Sequence, residues 1–224
     1  MISTAAPLSR FRLGPALACA TALAAAACAA TPAPPPPPSG AGGGVLRDWR
    51  GIITSSDRDR YRRRDAAWSL ALQQARRQTG SGDLNELGDL IDADAARTPV
   101  TPPVGDYRCR TVKLGSQGGE EGLGYVVYDW FGCRIEQTPN GLKFSKTTGS
   151  QRPAGLLFPE NDRHMVMLGS MALASEPAAN SYGRRPDRDL VAVLERIGER
   201  RWRLVIPWPQ NESNLDLIDL VPAG

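Results

Sequence analysis

Histidine is almost missing from this sequence, because His164 is the only one among 224 residues. A histidine-based catalytic triad would have to use that residue, and so would a zinc site of the usual cysteine and histidine ligands. Cys-x-x-Cys pairs, Gly-x-Ser-x-Gly motifs, nucleotide-binding phosphate loops and dinucleotide fingerprints are lacking as well. We therefore predict no catalytic residues, no metal ligands and no cofactor, and a non-enzymatic protein is favoured over an enzyme.

Net charge is also small. The formal value is +3, and it falls to +1 if a segment that contains Arg10 and Arg12 is removed. A nearly neutral protein has no general attraction to nucleic acid, so we expect no nucleic-acid partner. The hydrophobic content of 41% is ordinary for a globular domain.

Residues 1–27 have the three parts of a secretory signal peptide. Arg10 and Arg12 precede an apolar run over 13–27, which is shorter than the roughly 20 residues of a membrane span. Small residues stand directly before Cys28, so we predict a lipoprotein-type signal with Cys28 as the lipid anchor. Ordinary cleavage after Ala29 is the alternative, and it would leave a soluble periplasmic protein.

Residues 28–44 read as a tether. Five consecutive prolines and a glycine-rich stretch combine a semi-rigid spacer with a swivel. Such a spacer is expected where the chain before it is fixed to a surface. The residue directly after Cys28 is Ala29, not the aspartate of a retention signal. We therefore predict an outer-membrane lipoprotein on the periplasmic side of the envelope, held to the membrane by its lipid.

Residues 45–103 are predicted to form a helical segment. Ser56 and Asp59 resemble a capping box, and a helical face follows from Tyr61, Trp68, Leu72 and Ala75. A shorter second helix is expected around Leu84, Leu87 and Ile91. Five arginines decorate the start of the first helix, and they invite a phosphate- or lipid-binding interpretation: Arg58, Arg60, Arg62, Arg63 and Arg64. Interleaved aspartates favour a solvated helix face instead.

Residues 104–224 change to a β pattern. Period-two alternation begins at Tyr107, Asn140-Gly141 marks a hairpin, and further turn clusters separate short strands up to Val221. The fold class is therefore α+β and mainly β, with a helical segment packed on an antiparallel meander of about eight strands. A closed barrel is favoured over a sandwich, because closure removes exposed strand edges.

Cysteine usage fits an oxidising compartment. Once Cys19 leaves with the signal and Cys28 carries lipid, only Cys109 and Cys133 remain, and two leftover cysteines most simply pair in a disulfide.

A polar cluster after the hairpin is the one candidate ligand groove. It contains Lys146, Ser150, Gln151 and Arg152, which suit an anionic or carbohydrate ligand at a barrel mouth, although a polar turn has the same composition.

Several runs resemble a proteobacterial family known as domain of unknown function 4893: residues 105–115, 148–152, 195–204 and 212–216, with Asp48-Trp49-Arg50 at the start. The resemblance implies export, an isolated cysteine pair and one compact unit, and it brings no activity or catalytic residue. We expect a non-enzymatic, envelope-tethered binding or inhibitor-like module whose partner is an envelope protein or a glycan. The alternatives are a hydrolase of envelope material that uses carboxylates or Ser150, and a structural component of an envelope complex. Oligomeric state is left open.

Overall fold

The computed structural model describes residues 48–224, which form helices first and strands afterwards. The helices are α1 Trp49–Ile52, α2 Ser55–Arg62 and α3 Arg64–Arg77, with 3-10 segments at Asn85–Ile91 and Gly119–Glu121. The strands are β1 Gly80–Ser81, β2 Gly105–Leu114, β3 Tyr125–Thr138, β4 Gly141–Lys146, β5 Gln151–Pro159, β6 His164–Leu173, β7 Asp189–Gly198, β8 Arg201–Pro207 and β9 Leu215–Pro222.

Strands β2 to β9 form a closed, eight-stranded antiparallel barrel. Each strand pairs with the next one in the chain, and β9 returns to pair with β2 from Leu114↔Leu215 to Tyr107↔Pro222. The remaining strand, β1, adds a short parallel pairing to the start of β3. The predicted mainly-β meander barrel with an N-terminal helical part is therefore confirmed.

The barrel wall is buried on both sides over most of its circumference. Alternation along β9 shows this, because Leu215 and Leu217 pack under the helices while Ile218 and Leu220 face the interior. The interior contains large side chains such as Phe144 and is filled. This packing excludes a barrel that encloses a bulky ligand.

The helical segment covers the outside of the barrel. Trp68, Ala71 and Ala75 of α3 pack on outward residues of β2, β7, β8 and β9, and Tyr61 and Leu72 pack against them partly buried, so the predicted face is confirmed. The single helix expected to carry that face is instead divided at Arg63 into α2 and α3. The predicted helix start is wrong, because Thr54 rather than Ser56 is the N-cap and accepts from the backbone N–H of Asp57. The short second helix is a 3-10 segment with a kink at Gly88 (φ 51°).

The end of the barrel near Tyr107 is closed by the linker that precedes β2. Trp202 Nε1 donates to the Val100 carbonyl at 2.8 Å, and the Tyr107 hydroxyl donates to the Pro103 carbonyl at 2.7 Å. Val100 itself is buried in the interior cluster. Any opening into the barrel therefore lies at the other end.

The predicted disulfide joins Cys109 of β2 to Cys133 of β3. Their Cα atoms lie 5.8 Å apart on adjacent strands, and both side chains belong to the interior cluster. Among the helices of residues 48–224, none combines the length and the apolar character that crossing a membrane requires.

Candidate functional site

The open end of the barrel, called the mouth here, is surrounded by four connections. These are residues 115–124, 147–150, 174–188 and 208–214. A small cavity of about 40 Å³ lies there, with Lys113, Gln151, Met171, Leu190, Gln210 and Asp216 among its lining residues. A water molecule needs roughly 10–15 Å³ by this measure, so the cavity accepts a few waters or one small polar group.

A buried ion pair forms the floor of the mouth. Lys113 Nζ lies 3.1 Å from Asp216 Oδ2 and 3.1 Å from Glu212 Oε2, and the Ser213 hydroxyl donates to the other oxygen of Asp216. Lys113 is 7% exposed and Asp216 is 3% exposed. Burial alone would lower the pKa of Lys113, but the two carboxylates outweigh it and hold that pKa above its ordinary value. The ammonium is therefore charged at neutral pH.

A wider cleft opens beside the cavity, and Lys113 lines both. The cleft has a volume of about 280 Å³, and its wall includes Leu123, Val126 and Tyr128. Leu123 is 51% exposed and Tyr128 is 41% exposed, which is unusual for two large apolar side chains so close together. The mouth thus combines an apolar rim with a charged floor, an arrangement that suits ligand recognition.

The four residues of the predicted groove lie at the β4–β5 connection on the edge of the mouth. Gln151 lines the cavity, whereas Ser150 is exposed and its carbonyl accepts from the Ala174 N–H. Arg152 donates to the carbonyls of Gly149 and Ala174 at 2.6 and 2.9 Å, and also to that of Glu176. The structure therefore places Ser150 in the loop and the other three residues on the strand ends that flank it, and their role in ligand binding stays a prediction.

Lys146 is held inside this connection. Its ammonium donates to the carbonyls of Thr148 and Gln151, both at 3.0 Å, and lies 3.9 Å from the centre of the Phe131 ring. Burial, with Arg152 and Lys113 nearby, lowers the pKa of Lys146 to about 8. No carboxylate pairs with Lys146 within residues 48–224, so this edge of the mouth is electropositive.

Hydrolytic chemistry at Ser150 lacks a supporting geometry. Within the part of the chain that the structure describes, no hydrogen bond joins the Ser150 hydroxyl to Lys146 or to a carboxylate. The single histidine lies elsewhere, on the outside of the barrel, where His164 Nε2 is 3.2 Å from Glu195. Over residues 48–224, no three His, Cys, Asp or Glu side chains lie close enough together to hold a metal ion.

Lys113, Asp216 and Tyr128 are site residues that sequence reasoning did not single out. A signal was present, since Lys113 stands between Val112 and Leu114, and Asp216 stands between Leu215 and Leu217. Their partnership was not visible because 103 residues separate them. Cys28, the predicted lipid anchor, lies outside the described residues.

Comparison with known proteins gives one match. A family model described as Domain of unknown function (DUF4893) matches residues 49–220, which span α1 and nearly all of the barrel. No curated protein and no solved structure matches the chain.

Proposed function

Because the chain belongs to the DUF4893 family, whose description carries no activity, we propose a function from geometry: a non-enzymatic, envelope-tethered module that binds a partner at the barrel mouth. The observation that carries the proposal is the exposed pair Leu123 and Tyr128 above the buried Lys113–Asp216 ion pair. Adjacent exposed apolar groups beside a fixed charge are typical of a binding site.

The shape of the mouth limits what binds there. The filled interior and the 40 Å³ cavity exclude a bulky lipid inside the barrel. The 280 Å³ cleft instead suits an extended segment of a protein or a glycan, which would lie across Tyr128 with one polar group near Lys113. We therefore propose an envelope protein or a glycan as the partner.

The disulfide supports the envelope part of the proposal. Structural disulfides persist in oxidising compartments such as the periplasm and are rare in the cytosol. The signal, Cys28 and the tether of residues 28–44 add an outer-membrane lipoprotein as the proposed location. A soluble periplasmic form remains the alternative if cleavage follows Ala29.

Photo-crosslinking in living cells tests the mouth. A benzophenone amino acid replaces Tyr128, and the matched control replaces Val104, which is 59% exposed and precedes β2 at the opposite end of the barrel. We expect discrete adducts from position 128 and none from position 104. Loss of the adducts in a Lys113→Met background would tie them to the charged floor, whereas equal labelling from both positions would refute a mouth-specific partner.

A further inference from the structure

A second pocket lies outside the mouth, on the helical segment. It has a volume of about 370 Å³ between α1 and α2. Three of its lining residues are arginines, and none is acidic. The six lining residues are Trp49, Arg50, Ile53, Arg58, Tyr61 and Arg62. We call it the arginine pocket.

Specific contacts position its cationic side chains. Arg58 Nη2 donates to the Arg50 carbonyl at 3.1 Å, which places its guanidinium over the end of α1. Arg50 lies over the Trp49 ring at 4.5 Å, and that ring packs edge-on against Tyr61 with centroids 5.0 Å apart. Arg62 follows Arg58 by four residues on α2, so the two share a helix face. Like charges at this spacing repel each other, and α2 tolerates that cost.

The nearby carboxylates neutralise part of the pocket, because two of them lie against Arg50. Glu160 lies 3.6 Å from Arg50 and accepts the Tyr61 hydroxyl, and Asp48 lies 3.5 Å from Arg50. The acidic residues of α2 and the start of α3 pair elsewhere: Asp57 with Arg60, Asp59 with Arg63 and Asp65 with Arg64. Within residues 48–224, Arg58 and Arg62 take part in no ion pair.

We propose that the arginine pocket binds a phosphate group. Guanidinium forks match phosphate oxygens in bidentate geometry, and arginine exceeds lysine in this role because its donors are planar and its charge is permanent. The aromatic base of Trp49 and Tyr61 restricts the Arg50 side chain, so less side-chain entropy is lost on binding. Phosphate would also relieve the repulsion between Arg58 and Arg62.

A phosphate of this kind comes either from a lipid headgroup or from a free phosphate ester. In the sequence, the first residue of the pocket, Trp49, follows the predicted tether of residues 28–44 closely, and the apolar Ile52 of α1 is 37% exposed. Anchoring at Cys28 would keep the domain within reach of the membrane surface, where exposed apolar and cationic side chains suit the headgroup region. Without anchoring, a soluble phosphate ester would meet the same groups.

Binding assays with matched variants test the proposal. The pocket variant is Arg58→Gln with Arg62→Gln, and the control is Arg76→Gln with Arg77→Gln at the exposed end of α3, which removes the same charge. All proteins carry the full chain with Cys28→Ser and are purified after export, so that an acyl chain does not carry them to membranes. The probes are inorganic phosphate, glycerol phosphate, and vesicles of phosphatidylglycerol or of phosphatidylcholine.

We expect binding to at least one phosphate probe, weakened about tenfold or more in the pocket variant and unchanged in the control. Binding to phosphatidylglycerol vesicles alone assigns the phosphate to a lipid, and binding to the soluble esters alone assigns it to a free ligand. Equal binding by both variants, or none to any probe, would overturn the proposal. If the double variant misfolds, Arg62→Gln alone serves as the pocket variant. Its folding should be unaffected, since no protein group within residues 48–224 hydrogen-bonds to the Arg62 side chain. These binding assays test the arginine pocket, whereas crosslinking at Tyr128 tests the mouth, so the two proposals can fail independently.

Discussion

Replacing Arg203 with methionine is expected to destabilise the protein strongly. Arg203 lies on the outer face of β8, is 0% exposed, and its Nε donates to Glu195 at 2.7 Å. Its Nη1 donates to the carbonyls of Asp89, Leu90 and Asp92 at 2.9, 3.0 and 2.6 Å. One guanidinium therefore holds the 3-10 segment Asn85–Ile91 to the barrel wall.

The size of the effect follows from what Arg203→Met leaves behind. Glu195, which is 8% exposed, would keep His164 as its only partner within residues 48–224, and four carbonyls, those of Asp89, Leu90, Asp92 and Ala93, would lose a donor. Breaking a buried ion pair by removing one partner costs about 3–5 kcal/mol. For a domain of this size, that corresponds to a melting temperature lower by about 6 to 20 °C.

The pH dependence of the loss has a definite sign. In the native protein, burial acts to raise the pKa of Glu195, but His164 and Arg203 outweigh it and hold that pKa below its ordinary value. Without Arg203, burial dominates and the pKa of Glu195 rises. A carboxyl with a raised folded-state pKa loses stability as pH increases through that pKa. The gap between native and variant protein should therefore widen from pH 5 to pH 7.

Urea unfolding with the disulfide intact measures both effects. The control is Arg134→Met, because Arg134 and Asp106 are each more than half exposed and such surface pairs contribute about 0–1 kcal/mol. Adding Glu195→Leu to Arg203→Met should recover part of the lost free energy, since the unpaired carboxylate is then gone. A cost for Arg203→Met below about 1 kcal/mol, or one equal to the control, would refute the reasoning.

Three further outcomes are expected. Cys109→Ala with Cys133→Ala should lower the free energy of unfolding by about 3 kcal/mol, because the bridge closes a loop with a sequence separation of 24; a loss below about 1 kcal/mol in urea would contradict this. The folded-state pKa of Lys146 is about 8, so above that pH the native protein binds fewer protons than its unfolded chain. Its free energy of unfolding, measured relative to that of Lys146→Met, should therefore rise from pH 8 to 10 by at most about 1.4 kcal/mol per pH unit. A flat difference between the two unfolding curves would show that Lys146 does not titrate there. Cys28→Ser should abolish membrane association in cell fractionation with export intact, and retention in the membrane fraction would exclude anchoring through Cys28.

Local patterns accounted for much of the fold. Asn140-Gly141 predicted the β3–β4 hairpin, where Gly141 has a φ of 108°, a value that suits glycine. The helix start was misplaced by two residues because Thr54 and Ser56 are both good N-caps, and the choice depends on contacts outside the helix. Tyr182, 128 residues away, binds the Thr54 N–H at 3.0 Å.

The amino-acid sequence by itself determined the class of fold and the disulfide. Period-two alternation is a local property, and the predicted removal of Cys19 and acylation of Cys28 leave one pairing, so neither prediction needed long-range information. Only the tertiary structure decided which polar residues share a site. Lys113 meets Asp216 because β9 closes the barrel on β2, and Arg58 meets Arg50 because its side chain reaches from α2 to the Arg50 carbonyl of α1. Such partnerships depend on how distant segments pack, a constraint that sequence spacing does not record.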